Sequence, residues 1–462
     1  MSPVKQKNLK HVLTLALGAI GLGSTLAALA VPSVFPTGTT RYDPTRAYNS
    51  YVLFSGGDGV ARLIDLDGNT VHQWKDAAAF SSFIDPALVH GEKGHIFVSL
   101  STTDGKGTDL VPGQVNRRVT QSIGELDWNN NTVWEFGSKA PGGAAQHHHD
   151  WARLANGNTL VLANVVRAIP GFKQDKLFDD VIYEVNPAGE VVWSWAASEH
   201  LKEFGFSDSE LKLVRAAESP DFLHINNMKV VGPNRWFAAG DTRFAPDNIL
   251  IDSRSANFIV IIDRKTGKVV WNLGPHYGAV GFDQRARQVP RPVDQISGQH
   301  DAHIIPEGLP GAGNLLVFDN QGEAGFPPVP LAFTGGSRVL EIDPVKKEIV
   351  WQYTGEDSGA PAWSFQSTHI SSARRLPNGN TLIDEGQKGR LFQVTREGDI
   401  VWEYVNPYAR TGKDPLSGRT TVNNQVYRAQ PVPYNWVPEG TPHAETPVKP
   451  PELSQFRVSS QP

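Results

Sequence analysis

Six short segments of alternating apolar residues, each carrying a tryptophan, constrain the fold of this chain more than any other feature. They lie at residues 70–74, 132–136, 191–195, 269–273, 349–353 and 400–404. Successive copies are spaced by roughly 50 to 80 residues, the period of a propeller blade with loops of variable length. Alternation with a period of two, bounded by Asn, Asp, Pro and Gly, is typical of half-buried hairpins. The sequence therefore predicts an all-β chain that folds as a six-bladed β-propeller.

Inner hairpins are predicted before four of these outer segments. They span residues 153–162, 228–237, 304–318 and 375–383. The first and last of them share an Asn-Gly turn, which supplies the positive φ angles that a tight hairpin requires. The strands of the first two blades are predicted near residues 51–55 and 96–100. Apolar and charged residues mixed over 198–218 predict one or two short helices on a face of the propeller.

Three regions are predicted along the chain. Residues 1–33 combine three early lysines with an uncharged apolar stretch, which predicts a signal peptide or an N-terminal membrane anchor. Residues 42–408 would form the six-bladed propeller, which we expect to be exported: periplasmic, or anchored in the membrane and facing the periplasm. Residues 409–462 form a Pro-rich tail, in which residues 425–428 could add a strand to the first blade and close the ring.

Composition excludes several kinds of chemistry. Lys and Arg number 43 against 48 Asp and Glu, a formal net charge of −5 that does not suggest nucleic acid or an anionic membrane surface as partner. The absence of cysteine rules out disulfides, thiolate metal ligands and a cysteine nucleophile. No Gly-Lys-Ser/Thr loop is present to hold a nucleotide phosphate.

Histidines precede the inner strands of four successive blades. They are His147, His148 and His149 in blade 3, His224 in blade 4, His300 and His303 in blade 5, and His369 in blade 6. Inner strands line the axis of a propeller, so these imidazoles are predicted to converge at one mouth of the central channel. Such a cluster can bind zinc, copper or iron, or it can supply a nucleophilic nitrogen flanked by hydrogen-bond donors.

Four motifs extend this pattern into a family resemblance. They are Gln299-His300-Asp301-Ala302, the segment Leu315-Leu316-Val317-Phe318-Asp319-Asn320, the segment 337–342, and the Asn-Gly-Asn hairpin at 376–383. With these motifs the chain resembles the arylsulfate sulfotransferase family, which comprises exported bacterial six-bladed propellers. The resemblance covers roughly residues 50–408.

The resemblance implies an arylsulfotransferase that moves a sulfuryl group from an aryl sulfate to a phenol through a sulfo-histidine, without cofactor or nucleotide donor. By that similarity His369 is the nucleophile, with His300 and His224 as supporting catalytic imidazoles. The remaining expected substrate-binding residues are His149, Asp301, Asn320, Arg338 and Arg375. The family places an arginine shortly after Phe-Asp-Asn, where this sequence has Gln321-Gly322-Glu323-Ala324-Gly325. Arg338, Arg374 and Arg375 are the candidates to replace it.

Two alternatives remain open from the residues themselves. In the first, His149, His224, His300 and His369 are ligands of a metal-dependent lyase or oxidoreductase. In the second, the propeller is not catalytic and binds a ligand or polymer. Elemental analysis would separate the metal enzyme from the other two.

Overall fold

The computed structural model of the chain describes residues 36–75, 77–100, 120–275, 296–322, 335–413 and 419–452. Within these residues, six antiparallel sheets form the six blades of a β-propeller, which confirms the fold predicted from the tryptophan repeats. The first strands of the blades contact one another in succession around the channel, from blade 3 round to blade 2. The predicted leader at residues 1–33 lies outside the described residues.

The strands are named here from the innermost to the outermost of each blade. Blade 1 contains Ala429–Val432, Tyr51–Ser55, Ala61–Ile64 and Thr70–Trp74. Blade 2 contains Ala77–Phe83, Ile96–Leu100, Ile123–Leu126 and Thr132–Phe136. Blade 3 contains His147–Arg153, Thr159–Arg167, Leu177–Val185 and Val191–Ala196.

The second half of the ring repeats this arrangement. Blade 4 contains Ile225–Val230, Ile249–Ser253, Phe258–Ile262 and Val269–Leu273. Blade 5 contains His300–Ile304, Leu315–Asp319, Arg338–Asp343 and Glu348–Tyr353. Blade 6 contains Ser372–Arg375, Thr381–Glu385, Arg390–Val394 and Ile400–Val405, with Gly38–Tyr42 as a fifth strand. Arg410–Lys413 and Thr420–Asn423 form a separate two-stranded ribbon.

Both ends of the propeller sequence join the first blade to the last. Gly38–Tyr42 pairs with the outer strand of blade 6, and Ala429–Val432 pairs with Tyr51–Ser55 as the inner strand of blade 1. The sequence predicted this ring-closing strand at residues 425–428, and the strand begins directly after that segment. Tyr427 and Arg428 instead precede the strand and reach into the channel, as described below.

The repeated tryptophans tie each blade to the next. Trp271, Trp351 and Trp402 donate their indole N–H to a carbonyl in the outer turn of the following blade, at 2.8, 2.9 and 2.7 Å. In blades 1 and 3, Trp74 and Trp195 make the same bond from a position two residues further along the strand. The bond of Trp402 reaches the carbonyl of Leu66 in blade 1, so it also spans the closure of the ring.

In the part of the chain that the structure describes, the helices lie outside the sheets and are short. The α-helices are Asp208–Arg215 and Arg235–Ala238. The 3₁₀ turns are Pro86–Leu88, Ala197–Glu199, Thr242–Phe244, Gly355–Ser358, Ala362–Ser364, Gly386–Lys388 and Tyr434–Trp436. Asp208–Arg215 begins with a capping box between Ser207 and Glu210 and buries Leu211 and Val214, within the predicted helical insertion. In the described part of the chain, no helix is both long and apolar enough to cross a membrane.

The predicted inner hairpin of blade 4 was wrong. Its second strand was expected at residues 235–237, but those residues are helical because the Asn234 side chain caps the N–H groups of Trp236 and Phe237. The true second strand is Ile249–Ser253. The turn between the two strands is therefore enlarged by the insertion 232–247, a difference that matters for the site.

Candidate active site

The histidines lie at the starts of the inner strands, but they do not share one register. In each hairpin, one residue at the end of the inner strand donates its N–H to an asparagine carbonyl across the turn; these residues are Leu154, Val231, Ile305 and Leu376. Counted from these residues, His224 and His369 lie seven positions earlier, whereas His149 and His300 lie five positions earlier. The offset gives the two pairs different environments, and we therefore expect them to have different roles.

His300 has both ring nitrogens engaged by the protein. The backbone N–H of Ile370 donates to Nε2 at 3.1 Å, so Nδ1 carries the proton. Nδ1 donates in turn to Oδ1 of Asn320 at 2.7 Å and lies 3.0 Å from the carbonyl of Gly298. Burial and the neighbouring Arg254 lower the pKa of His300 well below its usual value, which keeps the ring neutral. This arrangement suits a positioning residue better than one that contacts substrate.

Asn320 completes a clamp on the residue that follows His369. Its amide Nδ2 donates to the carbonyls of Ser367 at 2.6 Å and Ile370 at 2.8 Å. Ile370 has a φ of 57°, a left-handed conformation that costs a β-branched residue about 1–3 kcal/mol. His300 and Asn320 hold the N–H and the C=O of this one strained residue. Asn320, predicted to bind substrate, thus fixes the backbone that carries His369.

His369 is half-buried and neutral. Burial, Arg254 and His224, in that order, lower the pKa of its imidazole to about 4. The Thr368 hydroxyl donates to Oε1 of Gln387 at 3.1 Å, and its oxygen lies 3.4 Å from Nδ1 of His369. That oxygen can accept the Nδ1 proton, which leaves the lone pair on Nε2. A neutral imidazole with an available lone pair is a competent nucleophile near neutral pH.

Arg254 is a cationic residue near the histidines that the sequence analysis did not single out. It follows the second strand of blade 4 directly, and its backbone N–H donates to the carbonyl of His224 at 3.1 Å. Burial is the larger cause of the lowered pKa of both His300 and His369, and the Arg254 guanidinium adds to each shift. Strand pairing makes Arg254 the blade 4 counterpart of Asn320 in blade 5.

His224 forms a dyad with a carboxylate. Its Nδ1 lies 2.6 Å from Oδ2 of Asp221, and both side chains are partly exposed at the mouth of the channel. A carboxylate at Nδ1 fixes the tautomer and the orientation of the ring, which leaves Nε2 to give or take a proton. The arrangement is suited to general acid–base chemistry.

His149 is oriented by a buried chain of hydrogen bonds. Nε2 of His148 lies 3.2 Å from Oδ1 of the fully buried Asp180, and the Nδ1 atoms of His148 and His149 are 2.7 Å apart. If His148 donates to Asp180, then His149 donates to His148, and Nε2 of His149 holds a lone pair. The His149 ring also contacts the rings of His224 at 5.0 Å and Tyr427 at 5.5 Å between centroids.

Tyr427 brings the tail of the chain into the cluster. Its ring lies between those of His149 and His300, 5.5 and 6.5 Å away, and its hydroxyl donates to the carbonyl of Asn226 at 3.0 Å. Phe80 of blade 2 packs against Tyr427 at 4.6 Å and His149 at 5.3 Å. Together they form an aromatic wall beside the imidazoles.

Below the cluster, an ionic network fills the channel. Asp150 binds Lys229 at 2.7 Å and Arg428 at 3.0 Å, while Asp301 binds Arg428 at 3.2 Å and Arg374 at 2.5 Å. Although burial opposes it, Arg428 and Lys229 lower the pKa of Asp150 to about 2. Asp301, predicted to bind substrate, is fully buried in this network, and its charge is used to pair the two arginines. Neither Asp301 nor Arg374 is therefore placed to hold a sulfuryl group at the histidine mouth.

Asp384 lies beside this network, and the pKa of its carboxyl is shifted in the opposite direction to that of Asp150. Among the described residues, neither of its fully buried carboxylate oxygens has a hydrogen-bond partner. Burial, Asp301 and Glu385 raise the pKa of its carboxyl well above the usual value. The folded protein therefore keeps a proton on Asp384 at a pH where the unfolded chain has lost it.

This linkage predicts that Asp384→Asn stabilises the protein. Above about pH 4 the wild type loses up to about 1.4 kcal/mol per pH unit from this group, because the unfolded carboxyl ionises while the folded one stays protonated. The amide removes that loss, so its advantage in urea unfolding should widen between pH 5 and pH 8. The exposed Asp175→Asn is the matched control and should give no such trend. An equal or lower stability of Asp384→Asn across this range would refute the prediction.

Arg338 and Arg375 occupy different places. Nε of Arg338 donates to the buried Asp319 at 2.8 Å, at the histidine end of blade 5 but on its third strand, two strands out from the innermost one. Arg375 lies at the opposite end of its strand from His369, pairs with Glu341 at 2.8 Å and covers the ring of Trp351. The structure thus does not bring Arg375 to the site. Arg153 repeats the same arrangement in blade 3, with Glu125 and Trp134, so this role is architectural.

No group of three or more His, Cys, Asp or Glu side chains is placed to hold a metal ion in the described segments of the chain. The reason is visible in His300, whose two nitrogens are used, and in His224, whose Nδ1 is bound to Asp221. The ring nitrogens of His300 and Nδ1 of His224 are thus occupied by hydrogen bonds within the protein.

Comparisons with known proteins identify a family for most of the propeller. A family model described as arylsulfotransferase (ASST) matches residues 120–407. No curated protein matches the chain. Among solved structures, a protein of unknown function from Bacteroides caccae is 13% identical with a TM-score of 0.44, and the match covers 83% of this chain and 99% of that one. A streptogramin B lyase is 12% identical with a TM-score of 0.39, over 86% of this chain and 94% of the lyase.

Proposed function

The chain belongs to the arylsulfotransferase family, and on that premise we propose that it transfers a sulfuryl group from an aryl sulfate to a phenolic acceptor, with His369 as the covalent carrier. One observation carries the proposal. The neutral imidazole of His369 has its pKa lowered by burial, by the Arg254 guanidinium and by His224, whose ring is bound to a carboxylate and whose carbonyl accepts the backbone N–H of Arg254. The three residues are a nucleophile, a binder of anionic oxygens and an acid–base group.

In the first half-reaction the lone pair on Nε2 of His369 attacks the sulfur of the aryl sulfate. The S–O bond to the aryl group breaks, its electron pair goes to the phenolate oxygen, and His224 delivers a proton to that oxygen. Asp221 holds Nδ1 of His224 and orients its ring, so that Nε2 is the atom that carries the transferred proton. The product phenol leaves and the sulfuryl group stays on His369 through an N–S bond.

In the second half-reaction a phenol enters and gives its proton to His224. Its oxygen attacks sulfur, the N–S bond breaks, and the electron pair returns to Nε2 of His369. Because the transferring group carries charge on its equatorial oxygens and little bonding to either partner, catalysis depends mainly on positioning and on cationic donors. Arg254 is proposed to bind those oxygens, in the role that the family assigns to an arginine after Phe-Asp-Asn.

The aromatic wall suits substrates with an aryl ring. Tyr427 and Phe80 present ring faces and edges beside His149, where a phenyl group can pack edge-to-face. The clamp on Ile370 by His300 and Asn320 keeps His369 aimed at the bound sulfur. His300 is accordingly proposed to act through His369 as a positioning residue.

A transfer assay tests the proposal. Purified protein with 4-nitrophenyl sulfate and phenol, but no nucleotide, is expected to release 4-nitrophenol and form phenyl sulfate in equal amounts. Mass spectrometry of the products distinguishes transfer from hydrolysis, which would yield inorganic sulfate. If 4-nitrophenol release needs added metal and stops with a chelator, the metal-dependent alternative replaces this proposal.

A further inference from the structure

A second cavity opens at the other mouth of the channel. Its volume is about 630 Å³, within the range of small-molecule sites. It lies beyond the ends of the inner strands, where Pro306, Leu376, Pro377 and Pro433 form part of its wall. The histidines stand at the starts of the same strands, so the ionic network of Asp150, Asp301, Lys229, Arg374 and Arg428 separates the two sites.

The floor of this cavity has an excess of positive charge. Lys229, Arg374 and Arg428 line it, and two carboxylates of the network, Asp150 and Asp301, pair with these three cations. About a fifth of the Lys229 and Arg374 side chains remains exposed, at 19% and 20%. Burial, the largest cause, and the neighbouring Arg428 lower the pKa of Lys229 to about 8, although Asp150 opposes the shift.

The walls and rim restrict what can bind there. Phe83, Trp151, Leu309 and Trp436 provide a largely apolar wall above the cationic floor. The paired arginines of the wall, Arg153 and Arg375, have their charges neutralised by Glu125 and Glu341. Asp85 and Glu307 stand at the rim, where they disfavour ligands with several negative charges.

We propose that this cavity is a second binding site, specific for a small organic monoanion whose aromatic body packs on the apolar wall while its anionic group pairs with Lys229 and Arg374. One negative charge would neutralise the floor. The ionic network connects this cavity with the histidine cluster, because Asp150 and Asp301 of the network directly follow His149 and His300. The site takes no part in the proposed chemistry and does not depend on it.

Calorimetric titration with 2-naphthoate, in the absence of any sulfate ester, tests the proposal. We expect one binding site, and at least about tenfold weaker binding of naphthalene-2-carboxamide, which has the same shape without the charge. Leu309→Trp fills the cavity without touching the ionic network, and Lys229→Met removes one cation. Each should weaken binding at least about tenfold, whereas exposed Lys265→Met and His369→Ala should leave it unchanged.

Several outcomes would overturn the site. Equal affinity for acid and amide would show that the cationic floor is not used. Unchanged binding in both Leu309→Trp and Lys229→Met, or loss of binding in His369→Ala alone, would place the ligand elsewhere. Absence of binding in the folded wild type would remove the proposal altogether. None of these results bears on sulfuryl transfer, which is measured with a separate substrate.

Discussion

His369→Ala is expected to lower kcat/KM for transfer from 4-nitrophenyl sulfate to phenol at least about 10³-fold, because it removes the atom that receives the sulfuryl group. The imidazole is neutral above about pH 4, so the loss should be seen throughout the neutral range. Circular dichroism and thermal unfolding establish that the variant is folded. The exposed His443→Ala is the matched control and should retain wild-type rates.

The result is informative because other histidines stand close by. If His369→Ala keeps a tenth of the activity or more, the nucleophile is a different imidazole of the cluster, and His149 is the next to replace. Its Nε2 carries a lone pair in the tautomer set by His148 and Asp180.

Arg254→Met is expected to lower kcat by about 10² to 10³-fold, the usual effect of removing one donor that stabilises developing charge. The substitution has a second, independent consequence. Arg254 helps to lower the pKa of His369, although burial is the larger cause. Without the guanidinium the pKa of His369 rises, so the acidic limb of the pH–rate profile should move to higher pH.

Two arginines serve as comparisons for this prediction. Arg243, also in blade 4, is paired locally with Asp241, and Arg243→Met should leave both rate and pH profile unchanged. Arg338→Met tests one of the three arginines that the sequence analysis named as candidates to replace the missing one. If Arg338→Met abolishes transfer while Arg254→Met stays within about threefold of wild type, the sulfuryl oxygens are held from blade 5, and the account of Arg254 is wrong.

The propeller could be predicted from sequence because its signal is repeated. Five of the six outer strands place a tryptophan at an equivalent register position, and Trp74 of blade 1 lies two residues further along its strand. The pattern survives the variable loops between copies. The histidines at the starts of four inner strands were visible for the same reason. What the repeat could not reveal was their two-residue offset, which depends on the local backbone; Ile370, at a φ of 57°, directly follows His369.

Arg254 was missed because the strand that carries it was misplaced. Residues 235–237 looked like the second strand of blade 4, whereas Asn234 starts a helix there and the strand is Ile249–Ser253. With the strand misplaced, the correspondence between Arg254 and Asn320 was hidden. Tyr427 was missed for a different reason, since it reaches the cluster from the tail, far from the histidines in sequence.

The hydrogen bonds of His300 favour a positioning role that the sequence did not predict. The sequence placed it among the catalytic imidazoles, and it does lie beside His369. Its hydrogen bonds to Ile370 and Asn320 depend on a contact between blades 5 and 6 that no local motif encodes. Residue type and repeat position predict where the histidines cluster, but the role of each histidine has to be inferred from its contacts in the structure.

The covalent intermediate provides the most direct test of the central claim. Protein is mixed with 4-nitrophenyl sulfate without acceptor, quenched in alkali, digested and mapped by mass spectrometry. We predict a burst of 4-nitrophenol close to one equivalent per chain, with a single sulfuryl group on His369 that disappears when phenol is added before the quench. Steady turnover to phenyl sulfate with no sulfuryl group on any histidine, or with the group on a residue other than His369, would contradict the account.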